Sequence, residues 1–408
     1  MSQTNSNPKA SRQFSSQSRA LILPGGGARA AYQVGVLKAI AELLPDVQTS
    51  PFRVYSGTSA GAINSTVLAS HAMDFHQGMQ NLEAVWNNFK VNHVYKTNTM
   101  TVIKNTAHWL WTILSAGRFG KKPTSLLDNQ PLRELLQKQV NFSGIEQGLQ
   151  QQLIDGLIIV CSAYSTAQSV NFFQARDTQN AWQRFRRVGV PSRIEVEHLM
   201  ASVAIPYVFP AVQVGEQYYA DGAVRQAKPL SAALHLGANR LMVIGVRDEK
   251  PNYISTQDQV YPSLGKVAGY ILDTLFMDGL FTDLEHLLHV NRLLENFDSN
   301  LVPEKPVDVH IIVPSSDIRD IALKHQHRLP RSVRIFMAGA GARDKISGSQ
   351  LVSYLLFEQD YTRDLISLGY CDAMEQKDAL IDFFCSETIT RLEAPQRIKD
   401  QLQAGGLG

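Results

Sequence analysis

Ser59 stands in Gly57-Thr58-Ser59-Ala60-Gly61, a G-x-S-x-G spacing. A serine so placed can be a nucleophile. The spacing suits a turn so tight that its serine is held in a strained backbone conformation, and the residues two before and two after must lack bulk. Gly57 and Gly61 meet that need. The short run Arg53, Val54, Tyr55 predicts a strand before the turn, and Ala62, Ile63, Asn64, Ser65, Val67, Leu68 and Ala69 predict a small-residue helix after it. The strained turn would hold the hydroxyl clear of the sheet, and the free N–H groups of the helix N-terminus would lie where an oxyanion forms.

A second chemical stretch is Pro24-Gly25-Gly26-Gly27-Ala28-Arg29, after the apolar run Ala20-Leu21-Ile22-Leu23 and before Val34, Leu37, Ile40 and Leu44 at helical spacing. Glycines joining a strand to a helix leave backbone N–H groups unshielded, which makes an anion site. A dinucleotide loop does not fit, because Ala30 occupies the third glycine position of G-x-G-x-x-G, and no G-K-[ST] follows for a P-loop. An oxyanion loop serving Ser59 fits better.

The serine also needs a base. His235, His286, His289, His310, His325 and His327 are available for a Ser-His-Asp arrangement, yet none stands in an obvious strand-end loop beside a glycine. Asp221-Gly222-Ala223 follows the strand-like Gln217-Tyr218-Tyr219-Ala220. An isolated Asp-Gly is also an ordinary turn former. A carboxylate at the end of a strand neighbouring the serine, however, can deprotonate its hydroxyl directly.

Around these residues the chain reads as α/β. Leu157–Val160 is a buried-strand run with Val170–Phe173 as its partner, and Lys228–Leu236, stopped by Gly237, predicts a helix before the strand Leu241–Val246. Leu264 to Phe297 predicts a long amphipathic helix or a pair, and Val309–Val313 a last strand. Beyond it the pattern is helical, with Leu351–Leu368 stopped by Gly369. Phe75–Pro123 is helical and aromatic; Trp109–Leu114 is its most apolar part, a core piece or a lid.

The 408 residues carry 39 Lys and Arg against 37 Asp and Glu, a net +2, with 44% hydrophobic and 19% charged residues. That balance gives no footprint for nucleic acid and no composition of a disordered chain. Cys161, Cys371 and Cys385 lack metal or disulfide spacing, which fits a reducing compartment. The first 18 residues read as a polar disordered tail without a signal-peptide core, and no run reaches bilayer length, so a cytoplasmic or peripheral membrane location is expected. Within Arg319–Arg334, Arg319, Lys324, Arg328, Arg331 and Arg334 are opposed in sequence only by Asp320, which suggests docking on an anionic membrane surface.

Taken together, these blocks resemble those of the patatin-like phospholipases, in the family's order: the loop Gly25-Gly26-Gly27-Ala28-Arg29, the elbow Gly57–Gly61, and the D-G-A block Asp221-Gly222-Ala223. Ala201–Pro210 resembles the segment shortly before the family's aspartate. The resemblance implies a three-layer fold, a mostly parallel sheet flanked by helices, with a catalytic domain over residues 19–315 and a helical extension over 316–408. It implies a Ser59–Asp221 dyad that cleaves fatty-acyl esters of phospholipids without metal or cofactor, with N–H groups of Gly25–Ala28 and Ala60 as oxyanion donors. Arg29 would steady the loop or a lipid head group. Ala30 stands where the family usually has glycine, and its methyl either crowds the loop and shifts its N–H groups or leaves the loop in its working geometry. The alternatives are a Ser-His-Asp carboxylesterase of α/β-hydrolase type and a catalytically weak lipid-binding protein.

Overall fold

The computed structural model describes residues 18–96, 125–176, 181–247, 263–294, 305–330, 334, 349–386, 392–396 and 398–399. The buried apolar runs pair as their composition requires. Continuous runs such as Arg19–Leu23 (β1), Gly156–Ala163 (β3), Arg240–Ile244 (β9) and Asp308–Ile312 (β10) are buried along their whole length. Strands of that kind need both faces covered, which parallel pairing under helices provides. With Val54–Thr58 (β2), Ser169–Ala175 (β4), Trp182–Arg184 (β5), Arg187–Pro191 (β6) and Leu392–Glu393 (β11), they form a sheet of order β11-β10-β9-β1-β2-β3-β4-β6-β5.

From β11 to β3 every neighbouring pair is parallel. The sheet reverses at β3, to which β4 is antiparallel. Val212–Val214 (β7) and Gln217–Asp221 (β8) form a hairpin, and β8 also pairs antiparallel with the last residues of β3. β11 corrects the expectation that Val309–Val313 is the last strand and that only helix follows. Its two residues are too few for a periodic signal, and pairing with β10 defines it.

Helices cover the sheet. Ala31–Leu43 (α1), Ala60–Ala69 (α2) and Phe75–Asn87 (α3) follow β1 and β2, and Gln359–Glu375 packs along α1. The expected helix Leu351–Leu368 is two helices, Ser349–Leu355 and Gln359–Glu375, and the second runs through Gly369 instead of ending there. That glycine serves close approach: a Cβ on Gly369 would lie 2.1 Å from the Tyr32 carbonyl oxygen, and one on Gly35 would lie 2.0 Å from that of Ile366. The long stretch from Leu264 is likewise interrupted. It comprises helix Leu264–Asp273, a π-helical turn Thr274–Asp278 and helix Gly279–Leu294. Among the described residues no helix is long and apolar enough to cross a membrane.

Candidate active site

Register alone brings the serine and the aspartate together. β2 and β3 run in parallel with Thr58 opposite Val160, and β2 then stops. β8 takes over the same side of β3 one residue further on, with Asp221 opposite Cys161. The residue after Thr58 is Ser59, so both side chains arise where one strand replaces another. The chain turns away from β8 at Gly222, where a Cβ would lie 2.2 Å from the Val160 carbonyl oxygen.

Ser59 has φ 54° and ψ −129°, a backbone region that L-residues occupy only under constraint. Three contacts impose it. A Cβ on Gly57 would lie 2.5 Å from Ala62 Cα, and one on Gly61 would lie 2.1 Å from the Leu23 carbonyl oxygen. The Ser59 N–H donates to Ser202 Oγ at 2.9 Å, and the Ser202 hydroxyl donates to the Val160 carbonyl at 2.7 Å. Ser202 thus bolts the elbow to β3. Sequence reasoning did not single it out, although it lies in the Ala201–Pro210 block; no local spacing marks a serine that supports another chain segment.

Asp221 is 1% exposed. Its Oδ1 accepts from the Ala223 N–H at 2.9 Å. Oδ2 is buried without a hydrogen bond of full geometry, although the Ser59 hydroxyl approaches closely enough to act on the carboxylate as a donor. Burial pushes the Asp221 pKa up to about 7, against the pull of the Ser59 hydroxyl and the Ala223 N–H. A carboxylate so tuned can accept and return a proton near neutral pH.

The glycine loop meets the elbow directly. A Cβ on Gly25 would lie 2.9 Å from Ser59 Cβ, and Gly27 has φ +53° in a place where a Cβ would lie 2.4 Å from the Tyr354 carbonyl oxygen. Among the described residues the Gly25 and Gly26 N–H groups have no backbone partner. Gly27 to Ala30, including Ala28, form a 3-10 turn that feeds α1. Ala60 begins α2, so its N–H belongs to the unpaired first turn of that helix. Arg29 is 2% exposed and reaches inward, donating from Nε to Ser353 Oγ at 2.9 Å and from Nη1 to Asp273 Oδ1 at 3.0 Å. Ala30 has φ −65° and ψ −10°, ordinary helical values that an alanine adopts without strain.

The candidate histidines lie elsewhere. His235 stacks on Trp182, His310 is buried against Phe383, and His325 pairs with Asp364 at 2.8 Å. Ser59 instead opens into an apolar cavity enclosing about 840 Å³, its mouth included. Its walls include Ile63 and Val67 of α2, Val85 and Trp86 of α3, and Leu132 and Leu136 of helix Gln130–Gln139. Among the described residues no histidine lines it. Among the described residues no group of three or more His, Cys, Asp or Glu is placed to hold a metal ion.

The family profile of patatin-like phospholipases matches residues 21–234, just over half of the chain. The chain belongs to the patatin-like phospholipase family. Membership puts it among lipid acyl hydrolases that act on ester bonds. No curated protein matches it. Among solved structures it is similar to VipD from Legionella pneumophila, at 12% identity and a TM-score of 0.33, over 90% of this chain and 68% of that one. It is also similar to human GIVD cytosolic phospholipase A2 in complex with methyl γ-linolenyl fluorophosphonate, at 12% identity and a TM-score of 0.39. There it covers 95% of this chain and 60% of that one.

The basic stretch of this patatin-like chain is compensated in part by acids brought alongside it. Arg319 pairs with Asp317 at 2.6 Å, Arg328 with Asp360 at 2.9 Å and His325 with Asp364. Two of those acids come from helix Gln359–Glu375, so a count along the sequence overstated the free positive charge. Arg331 and the apolar Trp109–Leu114 stretch lie outside the described residues.

Proposed function

We propose that this chain is a serine acyl hydrolase that cleaves fatty-acyl esters of phospholipids or lysophospholipids through a Ser59–Asp221 dyad. The observation that carries the reading is the buried Asp221 carboxylate beside Ser59, which opens into an apolar cavity that no histidine lines among the described residues. An apolar lining of this composition beside Ser59 suits an acyl chain.

In the first half-reaction Asp221 accepts the Ser59 Oγ proton as Oγ bonds to the ester carbonyl carbon. The N–H groups of Gly25, Gly26 and Ala60 receive the oxyanion. Collapse breaks the bond to the alcohol oxygen, which takes the proton from Asp221 and leaves. In the second half Asp221 accepts a proton from water while the hydroxide attacks the acyl carbon. The Ser59 oxygen then departs, regains the proton and releases the fatty acid. The contact between the Ser59 hydroxyl and Asp221 tightens once substrate excludes water.

The test is labelling with a fluorophosphonate, followed by lipid profiling after incubation with mixed phospholipid vesicles. Expected are adduct formation on Ser59, release of free fatty acid, and loss of both in Ser59→Ala. Labelling without fatty-acid release would point to a different ester class. A chain that binds fatty acid yet is neither labelled nor hydrolytic would be the lipid-binding alternative.

A further inference from the structure

Asp273 holds together a cluster that the dyad does not use. It is buried, and its two oxygens accept from Arg29 Nη1 at 3.0 Å, from the Tyr354 hydroxyl at 2.5 Å and from Gln350 Nε2. The Arg29 guanidinium also lies over the Tyr354 ring, 3.8 Å from its centroid, and its Nε donates to Ser353 Oγ. The Ser353 hydroxyl donates in turn to the Gln350 carbonyl at 2.6 Å. The same two segments touch the backbone of the glycine loop. Tyr354 closes the space at Gly27, and Phe276, in the π-helical turn that follows Asp273, closes it at Gly25 and stacks on Tyr354 at 5.3 Å.

Asp273, Phe276, Gln350, Ser353 and Tyr354 all lie beyond the family-matched residues 21–234. We propose that Asp273 is a positioning residue. Through Arg29 it fixes the glycine loop in register with Ser59, so that the oxyanion site is completed from outside the family domain. The inference rests on the function proposed above for its catalytic consequence. A planar guanidinium can meet a carboxylate, a hydroxyl and an aromatic face at once, which an ammonium cannot. A buried guanidinium stripped of its carboxylate must seek water or move, and here moving means shifting the loop.

The comparison that tests this uses two buried ion pairs. Asp308 pairs with Arg240 at 2.7 Å and is as buried as Asp273, but it lies on β10, away from the loop. Asp273→Asn is expected to lower kcat about tenfold or more, the scale of one misplaced oxyanion donor, with KM nearly unchanged. It should also speed hydrogen exchange of the peptide covering residues 23–30. Asp308→Asn should lower Tm while leaving kcat and that exchange as in the wild type. Tyr354→Phe keeps the ring and removes one donor to Asp273, so it should show a smaller version of the same change, and it serves if Asp273→Asn does not fold. Equal loop exchange in the Asp273 and Asp308 variants, or in Tyr354→Phe and the wild type, overturns the proposal whatever the activity. An inactive wild type with the expected exchange difference overturns the proposed function and leaves the positioning role standing.

Discussion

The serine–aspartate pair and the glycine loop are held by different means. Ser59 and Asp221 are set by backbone register, because β8 replaces β2 along β3 within a few residues of either side chain. The loop has no such template. Its backbone is fixed by glycines whose missing side chains are replaced by Phe276, Val246 and Tyr354, and by an arginine anchored far along the chain. Register is cooperative, since a strand cannot slip without reversing every side chain on it. A side-chain anchor yields to one substitution. The dyad should therefore respond to its own residues and, more weakly, to Ser202 that ties the elbow to β3, and the loop to remote ones.

The largest effect expected is on the dyad. Ser59→Ala and Asp221→Asn should each reduce kcat at least about 10⁴-fold, because residues acting as one unit lose nearly everything when either is removed. Assay of His235→Ala, His310→Phe and His325→Ala should find kcat within a few-fold of the wild type. A folded histidine variant as inactive as Ser59→Ala would replace the dyad with a triad and remove register as the sole organiser.

Next comes pH. Asp221 must be ionised to accept the Ser59 proton, so kcat/KM should rise with pH, level off above about 7, and lie roughly a hundredfold lower at pH 5. Stability should move in the opposite direction. With its pKa raised on folding, Asp221 binds its proton more tightly in the folded state than in the unfolded chain. Its contribution to stability therefore declines as pH climbs from the ordinary carboxylate range to about 7. Melting curves of Asp221→Asn against the wild type should show a larger gain in Tm at pH 8 than at pH 5. A gain that is the same at both would mean the carboxyl is not strained by burial.

Ser202 offers a smaller perturbation of the same framework. Ser202→Ala removes the acceptor for the Ser59 N–H and the donor to Val160. Leaving both groups buried and unpaired costs about 1–3 kcal/mol. Expected are a lowered Tm and a drop in kcat of about tenfold, with KM little altered. An unchanged kcat would show that the glycine contacts at 57 and 61 suffice to hold the elbow.

What could be read from the sequence follows the same division. The elbow and the D-G-A block were legible because each is a local pattern with a local mechanical cause, and several buried strands followed from their apolar runs. Ser202 was not, since its role depends on β3, from which it is separated by 42 residues in the bond to Val160. Arg29 was legible as a loop residue, but its partner Asp273 lies 244 residues away, inside a stretch that reads as ordinary amphipathic helix. Gly369 reads as a helix stop and is instead a crossing point with α1. The charges after Arg319 look unopposed until Asp360 and Asp364 are brought alongside. In each case the missing information is a contact between elements, which periodicity along one element does not carry.

The smallest effect is expected at Ala30, and it bears directly on how the loop is set. If the methyl group crowded the oxyanion donors, as its departure from the family pattern suggests, Ala30→Gly would raise kcat several-fold. The geometry favours the opposite outcome. At φ −65° and ψ −10° Ala30 is in a conformation that needs no glycine, it is fully buried, and its carbonyl accepts from Asn64 Nδ2 at 3.3 Å. Glycine there would add freedom to the unfolded chain and remove a packed methyl, a loss of roughly 1 kcal/mol. Kinetics and thermal melts of Ala30→Gly should therefore show kcat within twofold of the wild type and a Tm lowered by a few degrees. A several-fold gain in kcat would instead mean that the loop is displaced in the native enzyme, and that the anchor on Asp273 holds it short of its best position.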